Sequence, residues 1–452
     1  MKTNILFLII DSFRNDKFFG NDRTCKTPNI DNLVKNGTYF QQAVSTSDAT
    51  ILNWTSIFSG LIPPKTGIRS EKFNKLNENV KTIFNILEEH DYNFYSYLTN
   101  ISDTLGLFPK FMNDDYHELS EPRLTEGVGQ KIIDNVNSNK LKAPWFFLAH
   151  TMDLHFPIML HNDYNSSKYG ENTYEKQISS LDFWLGKISK TIDTKNTILI
   201  ISADHGTYIN SVNLDGNIVS TEENYSNEMI KRKIGFKIPK FLDPVKKRAF
   251  FLNEKKSQEN KIKKIKNLNL KPHEIRNLLS GKFEIDQTLF DEKVRIPLLF
   301  YGKGITSNKI INQQVRNVDI LPTLLDFLNI PTSSKLDGIS LKPLMENGSL
   351  EELPAYIEST PLIQIQSNNV LGIRTSKYKY FRDSINPKKR IHLYDLGLDP
   401  HEENNIHETN PGVIEKMEQL ISSFNNTDQS IDEFSQEETD MIEDELRKMG
   451  YV

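Results

Sequence analysis

A chain of 452 residues with 55 basic and 60 acidic side chains carries a formal charge of −5, so no whole-protein field draws it to nucleic acid or to an anionic membrane. Its one cysteine, Cys25, excludes a disulfide framework and a cysteine-built metal cluster alike. The length exceeds the roughly 250–300 residues that one hydrophobic core fills, and the pattern below divides it into a large domain, residues 1–345, and a smaller one, 346–452.

The first apolar run, residues 5–10, is far short of the roughly 20 residues of a membrane span and has no signal-peptide pattern. It reads as a buried strand ending on Asp11, in a protein expected to be cytoplasmic with no membrane span. Thr27-Pro28, then Ile30, Leu33 and Val34, closed by Gly37, predict a short helix with Pro near its start and Gly past its end. Residues 45–60 form a hydroxyl-rich loop that enters an apolar turn, with Thr50 at the entrance. Val80, Ile83, Phe84 and Leu87 repeat at helical spacing. Residues 145–149, 198–202 and 297–301 read as three further buried strands, and Ile320, Leu324, Leu325 and Leu328 as a helix.

Such alternation predicts an α/β sandwich, a mostly parallel central sheet flanked by helices, with the active site at the carboxyl ends of the strands. Residues from about 208 to 285 are polar and lysine-rich, with Lys231-Arg232-Lys233, Lys246-Lys247-Arg248 and a run from Lys261 to Lys266, and read as an insertion between core strands. It has few aromatics for base stacking, so no nucleic-acid partner is expected. Further on, residues 371–374, 378–381 and 392–396 predict a small antiparallel sheet, making the second domain α+β. The tail closes in Leu446, Met449 and Tyr451, which predict a terminal helix.

The polar residues at strand ends carry the chemistry. Asp11 follows the first strand and Asp204-His205-Gly206 a later one, giving two carboxylates and an imidazole that suit Zn, Mn, Mg or Ca. Taken alone, Asp11 reads equally as a turn cap and Asp204-His205 as a salt-bridged turn. Thr50 at a helix start would meet free backbone N–H groups and the positive end of the helix dipole, or serve as an ordinary N-cap. His150, Asp153 and His155 follow a third strand, where they could ligate a second metal, bind the substrate anion or donate a proton. Their spacing does not choose among these roles.

In order along the chain these pieces resemble the sulfatase family of the alkaline phosphatase superfamily. The resemblance rests on residues 4–11 with Arg14 and Asp16, residues 27–33 with Gly37 and Phe40, and Asp204-His205-Gly206. It continues through residues 289–298, 318–325 and 337–341, and through Arg374 to Tyr380, Leu393-Tyr394-Asp395-Leu396, and Asp399-Pro400 with Glu402 and Asn404. Where classical sulfatases have Cys/Ser-x-Pro-x-Arg, matured to formylglycine, this chain has Thr50, Leu52 and Trp54. No formylglycine forms at a threonine.

The segment from Thr50 through Asn53 to Gly60 is closer to the nucleotide pyrophosphatase and phosphodiesterase branch, which implies a phosphate ester substrate. Ser12 stands where many sulfatases have a second Asp, Asp153-Leu154-His155 has the wrong spacing for a second-metal Asp-x-x-x-His motif, and no histidine matches near Gln287. One metal on Asp11, Thr50, Asp204 and His205, as in the lipoteichoic acid synthase branch, is therefore as compatible as two.

The resemblance implies a metal-dependent hydrolase in which Thr50 attacks a small-molecule, glycan-linked or lipid-linked anionic ester and carries it covalently, with Asn53, His155 and Asp153 on the substrate. A sulfate ester hydrolase without formylglycine and a phosphotransferase to an alcohol are the alternatives within that class. Outside it stands a catalytically inactive protein binding a polyanion through the insertion.

Overall fold

A computed structural model describes residues 2–69, 75–99, 106–116, 121–138, 140–222, 243–281, 286–359 and 368–425. Its centre is a seven-stranded sheet of β1 (Asn4–Ile10), β2 (Thr38–Val44), β3 (Asn93–Tyr97), β4 (Trp145–Thr151), β5 (Thr197–Ser202), β8 (Arg295–Gly302) and β9 (Lys309–Arg316), in the order β3-β4-β1-β5-β8-β2-β9. Between β5 and β8 the chain makes a separate hairpin of β6 (Ser211–Leu214) and β7 (Asn217–Ser220). All seven residues of β1 are buried, as are all of β4 and all of β5, as expected of strands covered on both faces.

The four anticipated strands all form in a mostly parallel sheet: β3, β4, β1 and β5 are mutually parallel, and β8 runs antiparallel to its neighbours β5 and β2. Helices Pro28–Asn36 and Val128–Asn137 each pack on Thr173–Thr191, and Ile83–Glu88 and Ile320–Leu328 each pack on Thr50–Ser59. The helix predicted around Val80 starts later, at Ile83, where Thr82 and Asn85 form a reciprocal capping box.

The insertion between β5 and β8 contains the β6–β7 hairpin and helices Asp243–Ile265 and Pro272–Leu279. Lys231-Arg232-Lys233 lies outside the described residues. A second sheet, antiparallel throughout, orders β10 (Ala355–Glu358), β11 (Val370–Arg374), β12 (Tyr378–Asp383) and β13 (His392–Asp395), and helix Pro411–Asn425 follows it. β10 is additional to the three strands expected there. The predicted terminal helix on Leu446, Met449 and Tyr451 lies outside the described residues. Among the described residues no helix is long and apolar enough to cross a membrane.

Strand register places the site. Ile9 of β1 is level with His150 of β4 and with Ser202 of β5. Asp11 and Asp204 each stand two residues beyond that level, so their side chains leave neighbouring strands on one face, because residues in a strand alternate with period two. The Asp11 N–H donates to Thr151 O at 2.9 Å and extends the ladder one rung past the end of β1.

Candidate active site

Thr50 is the first residue of helix Thr50–Ser59, whose N-cap is Ala49 with no side-chain cap. The Thr50 hydroxyl is therefore not spent on the helix. It donates to Asp204 Oδ2 at 2.7 Å and lies 3.2 Å from Asp11 Oδ2. At its far end the helix stops on Gly60 in the left-handed conformation, φ 67°, where the Gly60 N–H returns to Ser56 O at 2.9 Å.

Around this hydroxyl, ligand atoms of Asp11, Asp204 and His205 all lie within 4.8 Å of one another, and all three residues are buried. His205 Nε2 is 3.7 Å from Asp204 Oδ2 and 3.9 Å from Asp11 Oδ1, while its Nδ1 lies 2.7 Å from Gly206 O. That carbonyl accepts a proton on Nδ1, which makes Nε2, turned to the carboxylates, the nitrogen that would ligate a cation on losing its proton. Gly206 is fixed in turn: its N–H donates to Lys293 O at 2.7 Å, and a Cβ there would lie 2.2 Å from Glu292 O. Two buried carboxylates, an imidazole nitrogen and a hydroxyl converging on one point fit a divalent cation bound by mixed oxygen and nitrogen donors.

Electrostatics agree with that reading. Burial pushes the Asp204 carboxyl up, but His205 and His150 and the hydrogen bonds from His150 and Thr50 more than offset it and hold it below its usual range. For His205 burial opposes protonation, and Asp204, Asp11, the Gly206 carbonyl and Asp48 together outweigh it and raise the imidazole. Each group thus holds the other's charge, an arrangement that a bound cation would replace.

Asp11, Thr50, Asp204 and His205 are thus brought together at one point, and two other expected site residues are used differently. Asn53 braces the loop before Thr50. Its amide donates to Ser47 O at 2.8 Å and Ala49 O at 3.0 Å, and its carbonyl accepts from Thr46 Oγ1, Ser47 N and Asn317 Nδ2. Asp153 is fully buried, and its oxygens accept from the backbone N–H groups of Leu124 and Thr125 and from Thr125 Oγ1 at 2.7–3.0 Å. The polar atoms of both side chains are thus engaged by the protein itself. His155 lies half-buried on the loop after β4.

Three further residues border the site: His150, whose role the sequence left open among metal ligand, anion binder and proton donor, and Lys293 and Arg14, to which the sequence assigned no role of their own. His150 Nε2 is 3.2 Å from Asp204 Oδ2. Lys293 Nζ is 3.2 Å from Asp48 Oδ2 and sits 5.3 Å over the Tyr208 ring. Arg14, just after β1, pairs with Asp16 at 2.8 Å and donates to Asn277 Oδ1 of the insertion at 3.1 Å, which ties the insertion to the strand end. His150 at a strand end was a readable signal, whereas the Lys293–Asp48 pair spans 245 residues and left none.

Comparison with known proteins bears on this site. The family model described as Sulfatase matches residues 3–330, and one described as N-sulphoglucosamine sulphohydrolase, C-terminal, matches 281–429. Arylsulfatase K of Rattus norvegicus is 30% identical over 145 residues, 31% of this chain and 26% of that protein. The extracellular sulfatase SULF-1 homolog of Drosophila melanogaster is 45% identical over 56 residues, 12% of this chain and 5% of that protein. The matched stretch thus spans only about a quarter of arylsulfatase K and far less of the fly protein.

Among solved structures, the phosphonate monoester hydrolase of Agrobacterium radiobacter superposes with a TM-score of 0.64 at 15% identity, covering 94% of this chain and 95% of that one. A protein solved in complex with its substrate D-glucosamine-2-N,6-O-disulfate gives 0.64 at 14%, covering 95% and 99%. At such identities the likeness speaks for the fold. The match of the family model across most of the chain speaks for descent, and the chain belongs to the sulfatase family.

Proposed function

We propose that this protein hydrolyses a sulfate ester on an anionic sugar or glycan, with Thr50 as nucleophile and a divalent ion held by Asp11, Asp204, His205 and the Thr50 oxygen. One observation carries the reading: the Thr50 hydroxyl stands at an uncapped helix start, 2.7 and 3.2 Å from two buried carboxylates. The bare sequence favoured phosphate. The arylsulfatase relatives and the sulfated-sugar complex support sulfate over it.

A divalent cation in this nest would lower the pKa of the Thr50 hydroxyl and neutralise charge on the bound ester. The Thr50 proton leaves along its hydrogen bond to Asp204 Oδ2, and Thr50 Oγ1 bonds to sulfur as the sulfur–oxygen bond to the sugar breaks. The departing alkoxide takes a proton from the site, for which His155 is our choice as donor. Backbone N–H groups at the helix start face the transferring anion. Water then attacks sulfur of the Thr50 sulfate ester and gives a proton to His155, while the proton held by Asp204 returns to Thr50 Oγ1 as its bond to sulfur breaks, so one ester and one water become one alcohol and one hydrogen sulfate and both groups are restored.

A second reading, phosphate or phosphonate monoester hydrolysis, rests on the same residue. A threonine cannot become formylglycine, and Trp54, where the sulfatase motif has Arg, is a fully buried indole packed against Phe108 and His150. If an acceptor alcohol replaced water in the second step, the enzyme would be a transferase.

Purified protein assayed on aryl sulfate, aryl phosphate and D-glucosamine disulfate with Mn, Zn, Mg or Ca, beside Thr50→Ala, tests these readings. Metal-dependent sulfate release abolished by the substitution is the expected result. Faster turnover of the phosphate ester would move the assignment to the second reading, and full activity in Thr50→Ala would remove the nucleophile.

A further inference from the structure

His150 enters the carboxylate cluster from β4, at the level of Ile9. Its side chain is 1% exposed, and Nε2 lies 3.2 Å from Asp204 Oδ2 and 3.7 Å from Asp11 Oδ2. Its other nitrogen, Nδ1, is buried and meets no hydrogen-bond partner among the described residues. Trp54 packs against the ring at right angles, centroids 4.7 Å apart, and fixes its plane.

An imidazole placed here is either a ligand of the cation or a donor to one of its ligands, and the two roles need opposite tautomers. A ligating Nε2 must be bare, so the proton sits on Nδ1 and is normally held by a carbonyl or carboxylate. His205 has that arrangement, with Nδ1 2.7 Å from Gly206 O. His150 has the reverse. A proton on its Nδ1 would be a buried N–H with no acceptor among the described residues, a rarer and costlier defect than a buried lone pair with no donor. The proton therefore belongs on Nε2, where Asp204 Oδ2 accepts it.

We propose that His150 is a positioning residue of the metal centre: its Nε2–H grips Asp204 Oδ2, the same oxygen that receives the Thr50 hydroxyl, while His205 alone supplies an imidazole ligand. The inference rests on the reading that Asp11, Asp204 and His205 hold a divalent ion. The consequence lies in lone pairs. Asp204 Oδ1 already accepts the backbone N–H of His205 at 2.8 Å. With one lone pair of Oδ2 held by His150, the other is left aimed at Thr50 and the cation site. The carboxylate then presents one oxygen in one direction, instead of swinging to offer both. Removing such a partner typically weakens metal binding by roughly 10–100-fold.

The test uses the full chain as wild type, His150→Phe and His150→Gln. Phenylalanine keeps a flat ring against Trp54 and removes the donor, whereas the glutamine amide offers an N–H close to the place of Nε2. Calorimetric titration with Mn should give a dissociation constant raised roughly 10–100-fold in His150→Phe and largely restored in His150→Gln. Nitrogen NMR of the Zn-loaded wild type should show His150 protonated at Nε2, with its Nδ1 unmoved by the metal. Equal Mn affinity in wild type and a folded His150→Phe would overturn the inference, and so would a His150 Nε2 that has no proton and shifts on adding Zn, which would make it a ligand. Should His150→Phe fail to fold, the wild-type spectrum still decides. A wild type that binds neither Mn nor Zn would remove the metal centre itself, and this inference with it.

Discussion

Thr50 combines a reactive hydroxyl with a stiff side chain, because branching at Cβ restricts χ1 to few rotamers. Thr50→Ser keeps the oxygen and frees the rotor, so we expect kcat to fall by about 10-fold with metal affinity unchanged, against complete loss in Thr50→Ala. A serine variant as inactive as the alanine one would mean that the oxygen without the methyl group does not suffice. Asp153 supplies the contrasting case. Its carboxylate holds two backbone N–H groups and a hydroxyl away from the cation site, so Asp153→Ala should lower stability by about 1–3 kcal/mol and leave KM unchanged below the melting transition. A large rise in KM without a shift in melting would return Asp153 to the substrate. Asp11, Thr50, Asp204 and His205 were legible in the sequence because each stands where a strand ends or a helix begins, and such positions open on one edge of the sheet. The partners of Asp153, at residues 124–125, were not legible because they lie on another segment 28–29 residues away, whereas those of Asn53 are mostly local, at Thr46, Ser47 and Ala49, and only Asn317 is distant.

At the scale of elements, the turn after β5 sits against the segment that leads into β8. A Cβ at Gly206 would meet Glu292 O at 2.2 Å, well inside contact distance. Gly206→Ala must push the two backbones apart, loosening the Gly206 N–H bond to Lys293 O and shifting His205 beside it. We expect a loss of about 1–3 kcal/mol in chemical denaturation, together with weaker metal binding. Normal affinity in an equally stable variant would show that the turn can yield. Elements were readable where burial is two-sided: β1, β4 and β5 are unbroken apolar runs. β2 and β9 escaped because they carry glutamines inside the sheet. Gln42 and Gln314 both accept from the Arg374 guanidinium of the second sheet, at 2.9 and 2.7 Å. A polar residue that serves a distant partner looks in sequence like a residue facing water.

Over the whole molecule, that arginine belongs to a buried charge network joining the two sheets. Asp291, just before β8, takes a bidentate pair from Arg374 at 2.7 and 2.8 Å and a third contact from Lys379 at 2.8 Å. Glu402, fully buried, lies 3.1 Å from Lys379 and accepts the Asp291 N–H at 2.7 Å. A lysine at that distance ordinarily lowers a carboxyl pKa. Here burial is the larger effect, Asp291 and Glu292 reinforce it, and Glu402 is pushed up from 4.5 to about 7. The folded protein therefore holds a proton that the unfolded chain has released, and the associated stability is full below the unfolded value and lost as pH rises through the folded one. Glu402→Gln copies the protonated form, and Lys379 keeps Asp291 as its partner. Relative to wild type the variant should gain up to about 3 kcal/mol between about pH 4.5 and about pH 8. Denaturation curves for both proteins across that window read the difference directly: a gap that stays flat would place Glu402 in the ionised form throughout, and a gap of opposite sign would mean that the Lys379 pair, rather than burial, governs how the second sheet is fastened to the first.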